Sequence, residues 1–156
     1  MRTKLTMVLL LAASFSGFAQ TKAEIVKNIN QLLAKAIGGT NITLHNGTET
    51  AFTITANSFS IDEEMNFGVF TMGKTFASSD RATEETSTKS QIQTWNGFKV
   101  SPEQNNPKIK SVYPVINKLE AEPDHDKNGI KYYCLTGDEE KLIVALTQLQ
   151  GLYKRK

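Results

Sequence analysis

The chain has 156 residues, 39% apolar and 22% charged, with 18 Lys and Arg against 16 Asp and Glu. Those proportions belong to an ordinary globular domain, which excludes collagen, long coiled-coil rods and wholesale disorder. No apolar run reaches the ~18 residues that a membrane-spanning helix needs, and the length fits a single domain.

The first residues read as an address. Met1-Arg2-Thr3-Lys4 is positively charged, Leu5 to Phe15 is apolar apart from Thr6 and Ser14, and Gly17 and Ala19 are small. A basic start, an apolar stretch and small residues flanking a cleavage point predict a signal peptide over 1–19, with Gln20 first in the exported chain. Removing that segment takes Arg2 and Lys4 with it and leaves 16 basic against 16 acidic residues, a net charge of zero. The remainder, 20–156, is expected to form one domain, periplasmic or secreted. Its single cysteine, Cys134, has no partner for an internal disulfide. It lies in the strand-like run Tyr132-Tyr133-Cys134-Leu135, where a free thiol behaves as a small apolar side chain.

Thr21-Lys22-Ala23-Glu24 has the spacing of a capping box. Ile25, Ile29, Leu32, Leu33, Ala36 and Ile37 follow at helical intervals, and Gly38-Gly39 stops them. The pattern predicts a helix over 21–37. The period then changes from helical to alternating. Asn46-Gly47 suits a tight hairpin turn, with Ile42 and Leu44 before it and Phe52 and Ile54 after it. Phe59 and Ile61 continue a strand as far as Asp62, and Phe67 to Met72 form another with both faces apolar. Asn96-Gly97 predicts a second hairpin turn, preceded by Ile92 and Thr94 and followed by Phe98 and Val100. A last hairpin is expected to join 109–121 to 130–135 through Asn128-Gly129. Residues 77–91, rich in Ser, Thr, Glu and Lys, read as a loop, as does 101–108 with its two prolines. Thr136 and Glu139 repeat the capping spacing before a second helix with the stripe Leu142, Ala145, Leu146, Leu149 and Tyr153. Asp138, Glu139 and Glu140 crowd its positive end, and Lys154, Arg155 and Lys156 its negative end.

The expected class is α+β: an N-terminal helix, an antiparallel sheet or roll of five to eight strands, and a C-terminal helix. This order, with Gly137-Asp138-Glu139-Glu140 leading into the last helix, resembles small exported bacterial proteins that place a helix before a pleckstrin-homology-like β-roll. The resemblance covers 21–153 in outline and implies a bent antiparallel sheet capped by the C-terminal helix. It implies no phosphoinositide ligand, and the only Trp, Trp95, falls in a strand and not in that helix; a cystatin-like or lipocalin-like arrangement is the competing fold.

Asp124-His125-Asp126-Lys127-Asn128-Gly129 carries the most chemical information. Oxygen donors at Asp124, Asp126 and Asn128, with a glycine next, form the front half of a calcium loop, because Ca²⁺ takes six to eight oxygens that alternate side chains of a tight loop can supply. The back half is missing: the twelfth position, where an EF-hand has a bidentate Glu, is Leu135. A calcium site would need Glu120, Glu122 or Asp138 instead. A solvated hairpin tip explains the same residues through turn preference alone. His45 and His125 each lie near an Asn-Gly pair and form no zinc-binding pattern. The runs Asp62-Glu63-Glu64, Glu84-Glu85 and Asp138-Glu139-Glu140 read as solvated charge, and Trp95 and Phe98 as core rather than a sugar platform. No nucleophile elbow, phosphate-cradling glycine loop or Cys-His signature is present. Residues 20–153 carry 13 basic against 16 acidic side chains, which argues against nucleic acid as a partner.

The leading functional expectation is an exported, non-enzymatic binding or accessory domain whose partner is a protein, a lipid or an envelope component, with no resident cofactor. The alternatives are a calcium-stabilised extracellular module using 124–129 and, behind both, a small hydrolase.

Overall fold

The computed structural model describes residues 20–45, 47–77, 82–102, 106–116 and 131–154. The leader 1–19 and the loop 124–129 lie outside them. The chain folds as α+β: among the described residues, one helix precedes and one follows two antiparallel sheets.

Helix α1 (Lys22–Ala34) begins as its sequence dictates. Glu24 N–H donates to the Thr21 hydroxyl at 3.3 Å, and Thr21 N–H donates to the Glu24 carboxylate at 2.8 Å. Two otherwise orphaned amides are thereby satisfied. The helix ends earlier than the apolar spacing predicts. Residues 35–38 form turns, Ala36 is buried beyond the helix, and Ile37 is 46% exposed. Gly38, at φ +85°, turns the chain so that its N–H reaches the Ile54 carbonyl at 2.8 Å. A sheet strand thus replaces the last helical turn as the hydrogen-bond partner.

The first sheet is a meander of β1 (Thr40–His45), β2 (Thr48–Asp62), β3 (Phe67–Phe76) and β4 (Thr83–Gln91). His45 pairs with Thr48 around the Asn46-Gly47 step, as the turn chemistry predicts, with Gly47 at φ +79°. Strand β2 carries a register shift between Ile54 and Ala56. The extra residue switches which side chains face inward, from Phe52 and Ile54 before it to Asn57 and Phe59 after it. Gly73 on β3 makes room for this bulge, since a Cβ there would stand 2.7 Å from Thr55 Oγ1.

Strand β4 corrects the loop expected over 77–91. Its polar residues are nearly all exposed, yet Thr83–Gln91 pairs with β3 from Thr75 to Phe67. Backbone bonds to β3 hold it there, along with Thr71–Ser87 and Thr75–Thr83 hydroxyl contacts at 2.9 and 3.1 Å. A polar, charged edge strand also discourages pairing with another chain.

A 3₁₀ turn, Ile92–Thr94, leads into the second sheet of β5 (Trp95–Pro102), β6 (Ile109–Ile116) and β7 (Tyr132–Leu135). Asn96-Gly97 is a second correction. It makes no hairpin but lies inside β5 at a register shift between Trp95 and Phe98, with Gly97 at φ +82°. A bulge uses the same positive φ as a turn. Ser101 and Pro102, expected in a loop, complete β5 opposite Ser111 and Lys110. Helix α2 (Glu139–Lys154) follows β7. Thr136 does not cap it: its hydroxyl donates to the Pro107 carbonyl at 2.7 Å, while Glu139 accepts from Gly137 N–H at 2.5 Å.

Both helices and both sheets meet in one apolar cluster. It contains Ile29 and Leu33 of α1, Phe59, Phe70, Trp95, Val112, Tyr132 and Cys134 of the strands, and Leu142, Leu146 and Leu149 of α2. A smaller cluster of Ala36, Phe52, Ile54, Phe76, Ile109 and Tyr133 lies beside it, and Met72 touches both.

Candidate functional site

The first turn of α1 lies beside the far end of β2, and a groove of about 600 Å³ opens between them. Asn30 is part of its lining. Its amide donates to the Phe59 carbonyl at 2.8 Å and its oxygen accepts from Phe59 N–H at 2.7 Å. This reciprocal pair fixes helix to strand the way a strand neighbour would. Val26 and Ile61 supply apolar walls, and Lys22, Lys27, Ser60 and Glu63 the polar ones. Lys22 Nζ is 2.6 Å from Glu63 and 5.5 Å from the centre of the Tyr153 ring. The Glu63 carboxylate, then Tyr153, holds the Lys22 ammonium above its ordinary pKa, against the opposing effect of burial. A second, shallower concavity of about 420 Å³ is lined by Gln20, Asn28, Glu140, Lys141, Val144 and Gln148.

The acidic run at the start of α2 is built into the fold. Asp138 receives Lys35 at 2.7 Å and Lys141 at 2.9 Å, and Glu139 receives Lys110 at 2.6 Å. These bonds hold both carboxyls below the usual carboxylate range, Lys35 acting most strongly on Asp138 and Lys110 on Glu139. Asp62 is likewise lowered, first by Lys89 at 3.2 Å. A carboxyl shifted downward is ionised at neutral pH and has no proton to give as a general acid. Cys134 lies at the other extreme. Its thiol is buried, donates to the Lys110 carbonyl at 3.7 Å, and is pushed up to about 12 by burial and then by Glu139 and Asp138. A thiol so shifted supplies almost no thiolate near neutrality. Tyr132, buried between Phe59 and Phe70, has its phenol raised by burial alone.

Asp124, Asp126 and Asn128, with Glu120 and Glu122, lie outside the described residues. Asp138, the remaining acid considered for calcium, is engaged by two lysines. Leu135, at the twelfth position of the loop, ends β7. His45 ends β1, and His125 is outside the described residues. Among the described residues no three His, Cys, Asp or Glu side chains converge as a metal site, and no helix is long and apolar enough to cross a membrane. Trp95 is 1% exposed and packs edge-on to Phe98 at 5.6 Å, so it belongs to the core.

The groove was not legible from the sequence. Asn30 is one of four asparagines between Asn28 and Asn46, and nothing local marks it as the one that binds β2. No family model, curated protein or solved structure matches the chain.

Proposed function

We propose that residues 20–156 form an exported, non-enzymatic binding or accessory domain that engages a protein, lipid or envelope component. The observation that carries this reading is where the reactive side chains are spent. Asp62, Asp138 and Glu139 are held ionised in ion pairs that join separate elements, and Cys134 is buried with its thiol raised. Such groups stabilise a fold and are poorly placed for acid–base or nucleophilic work. The basic start, apolar run and small residues of 1–19 support export. The order of α1, a four-strand meander, a three-strand meander and α2 supports the likeness to a pleckstrin-homology-like roll.

The test uses the purified 20–156 chain. Ester, peptide, glycoside and phosphate substrates are expected to show no turnover above a denatured control, and Cys134 to resist iodoacetamide until urea is added. Turnover that is abolished by replacing one of these side chains would overturn the reading.

A second reading, the calcium-stabilised module, draws on the pairing of β6 with β7. Asp124, Asp126 and Asn128 all fall in the sequence between β6, which ends at Ile116, and its antiparallel neighbour β7, which begins at Tyr132. On that reading ~1 mM Ca²⁺ raises the unfolding temperature and EDTA reverses it. An unchanged midpoint removes it.

A further inference from the structure

Helix α2 has a second seam, on the side away from the core. Leu142, Ala145, Leu146 and Leu149 are buried, whereas Glu140, Val144, Thr147, Gly151 and Lys154 recur at intervals of four, three, four and three residues along the outer face. That spacing is the one by which two helices pack along a common line. Glu140, Val144, Thr147 and Lys154 are exposed, and Val144 is 55% exposed. Among the described residues nothing requires glycine at Gly151: its φ is unexceptional, and a Cβ built on it meets nothing within 4 Å. A glycine inside a helix weakens it relative to alanine, so this position gives up helix stability without gaining room for any described neighbour.

Read backwards, the seam is complementary to itself. About Thr147, Glu140 is level with Lys154, and Val144 falls within one residue's rise, about 1.5 Å, of Gly151. Among the described residues neither Glu140 nor Lys154 is held in an ion pair. We propose that two copies of this chain associate through antiparallel α2 helices about a two-fold axis at Thr147. Glu140 then faces the partner's Lys154, and Val144 enters the gap over the partner's Gly151, each contact occurring twice. Such an isologous contact closes on itself and leads to a dimer, not a filament. Helix α2 is about 24 Å long, and one helix pair buries less than the ~800 Å² per partner of a standard interface. The dimer is therefore weak, and it is sensitive to salt because its ends are exposed charges.

Sedimentation of residues 20–156 tests it over a concentration series from ~10 μM to ~1 mM, where a weak dimer dissociates and forms. The expected result is a monomer that becomes a dimer with concentration, and less readily in ~1 M salt. Glu140→Lys and Lys154→Glu each set like charges together at both ends and are expected to weaken association about tenfold. The double variant E140K/K154E is expected to restore it, which a merely structural loss in either single variant would not allow. Gly151→Leu fills the gap and is expected to abolish the dimer while leaving the far-ultraviolet spectrum of the monomer unchanged, since its side chain enters open space. A chain that sediments as a monomer at every concentration overturns the proposal. So does a dimer that the single variants leave intact or that the double variant fails to recover.

Discussion

Asn57 is 3% exposed, and it joins three elements at once. From β2 its amide donates to the Leu33 carbonyl at the end of α1, at 2.7 Å, and to the Tyr133 carbonyl of β7, at 2.8 Å. Its own Oδ1 has no hydrogen-bond partner among the described residues, so the gain from burying it is less than two full bonds. Removing it takes one donor from each carbonyl and leaves Leu33 O with the Ala36 N–H at 3.1 Å. Asn57→Ala is expected to lower stability by about 2 kcal/mol, read as a lower midpoint in urea unfolding with an unchanged slope. The sequence offers Asn57-Ser58 only as a polar break between Ile54 and Phe59. Its inward direction follows from the bulge one turn of the pleat earlier, and the bulge was visible only as a change in parity, from Phe52 and Ile54 to Phe59 and Ile61. Cys134 was easier to read, because an unpaired thiol inside an apolar run has few places to go but the core.

Ion pairs tie elements together where the first residues of α2 meet the end of α1 and β6. Lys35, just past α1, bonds Asp138, and Lys110 of β6 bonds Glu139. Because its partners depress the folded-state pKa of Asp138, its contribution is present above the ordinary carboxylate range and is lost as pH falls through the lowered folded value. Asp138→Asn is therefore expected to reduce stability at pH 7 and to narrow its deficit steadily below about pH 4, as the wild-type carboxyl is itself protonated. Urea midpoints measured at several pH values check the sign. The two lysines are about half or more exposed, so the effect is modest and shrinks with salt. The acidic run was legible as charge at a helix start, but its partners were not, since Lys35 and Lys110 are remote in sequence. The polar segment that became β4 misled in a different way. Composition reports a strand's exposure, whereas strand identity here depends on an unsatisfied neighbouring edge on β3.

At the scale of the molecule, the larger cluster draws on α1, both sheets and α2, so none of these has a core of its own. Unfolding is expected to be one transition, with far-ultraviolet dichroism and Trp95 fluorescence superimposing. Leu146, fully buried where α2 meets the cluster, is a sensitive position. Leu146→Ala is expected to cost about 3 kcal/mol and to shift both signals together. Separate transitions for the two signals would show instead that one sheet stands without the other.

The sequence by itself determined the start of α1, the Asn46-Gly47 hairpin, the apolar stripe of α2, the burial of Cys134 and the α+β class. Each rests on signals carried within a few residues: cap chemistry, positive φ, and the period of apolar side chains. Only the tertiary structure decided that the seven strands of the described residues divide into sheets of four and three, that β4 is a strand, and that Gly97 serves a bulge. Gly97 shows why. A left-handed residue satisfies a turn and a bulge equally, and the choice falls to what surrounds it. Trp95 is packed against Phe59 with ring centres 6.4 Å apart, and Gln150 of α2 donates to the Trp95 carbonyl. Those contacts carry the chain straight on through Asn96 and Gly97, and they come from residues 36 positions before Trp95 and 55 after it, beyond the reach of any local pattern.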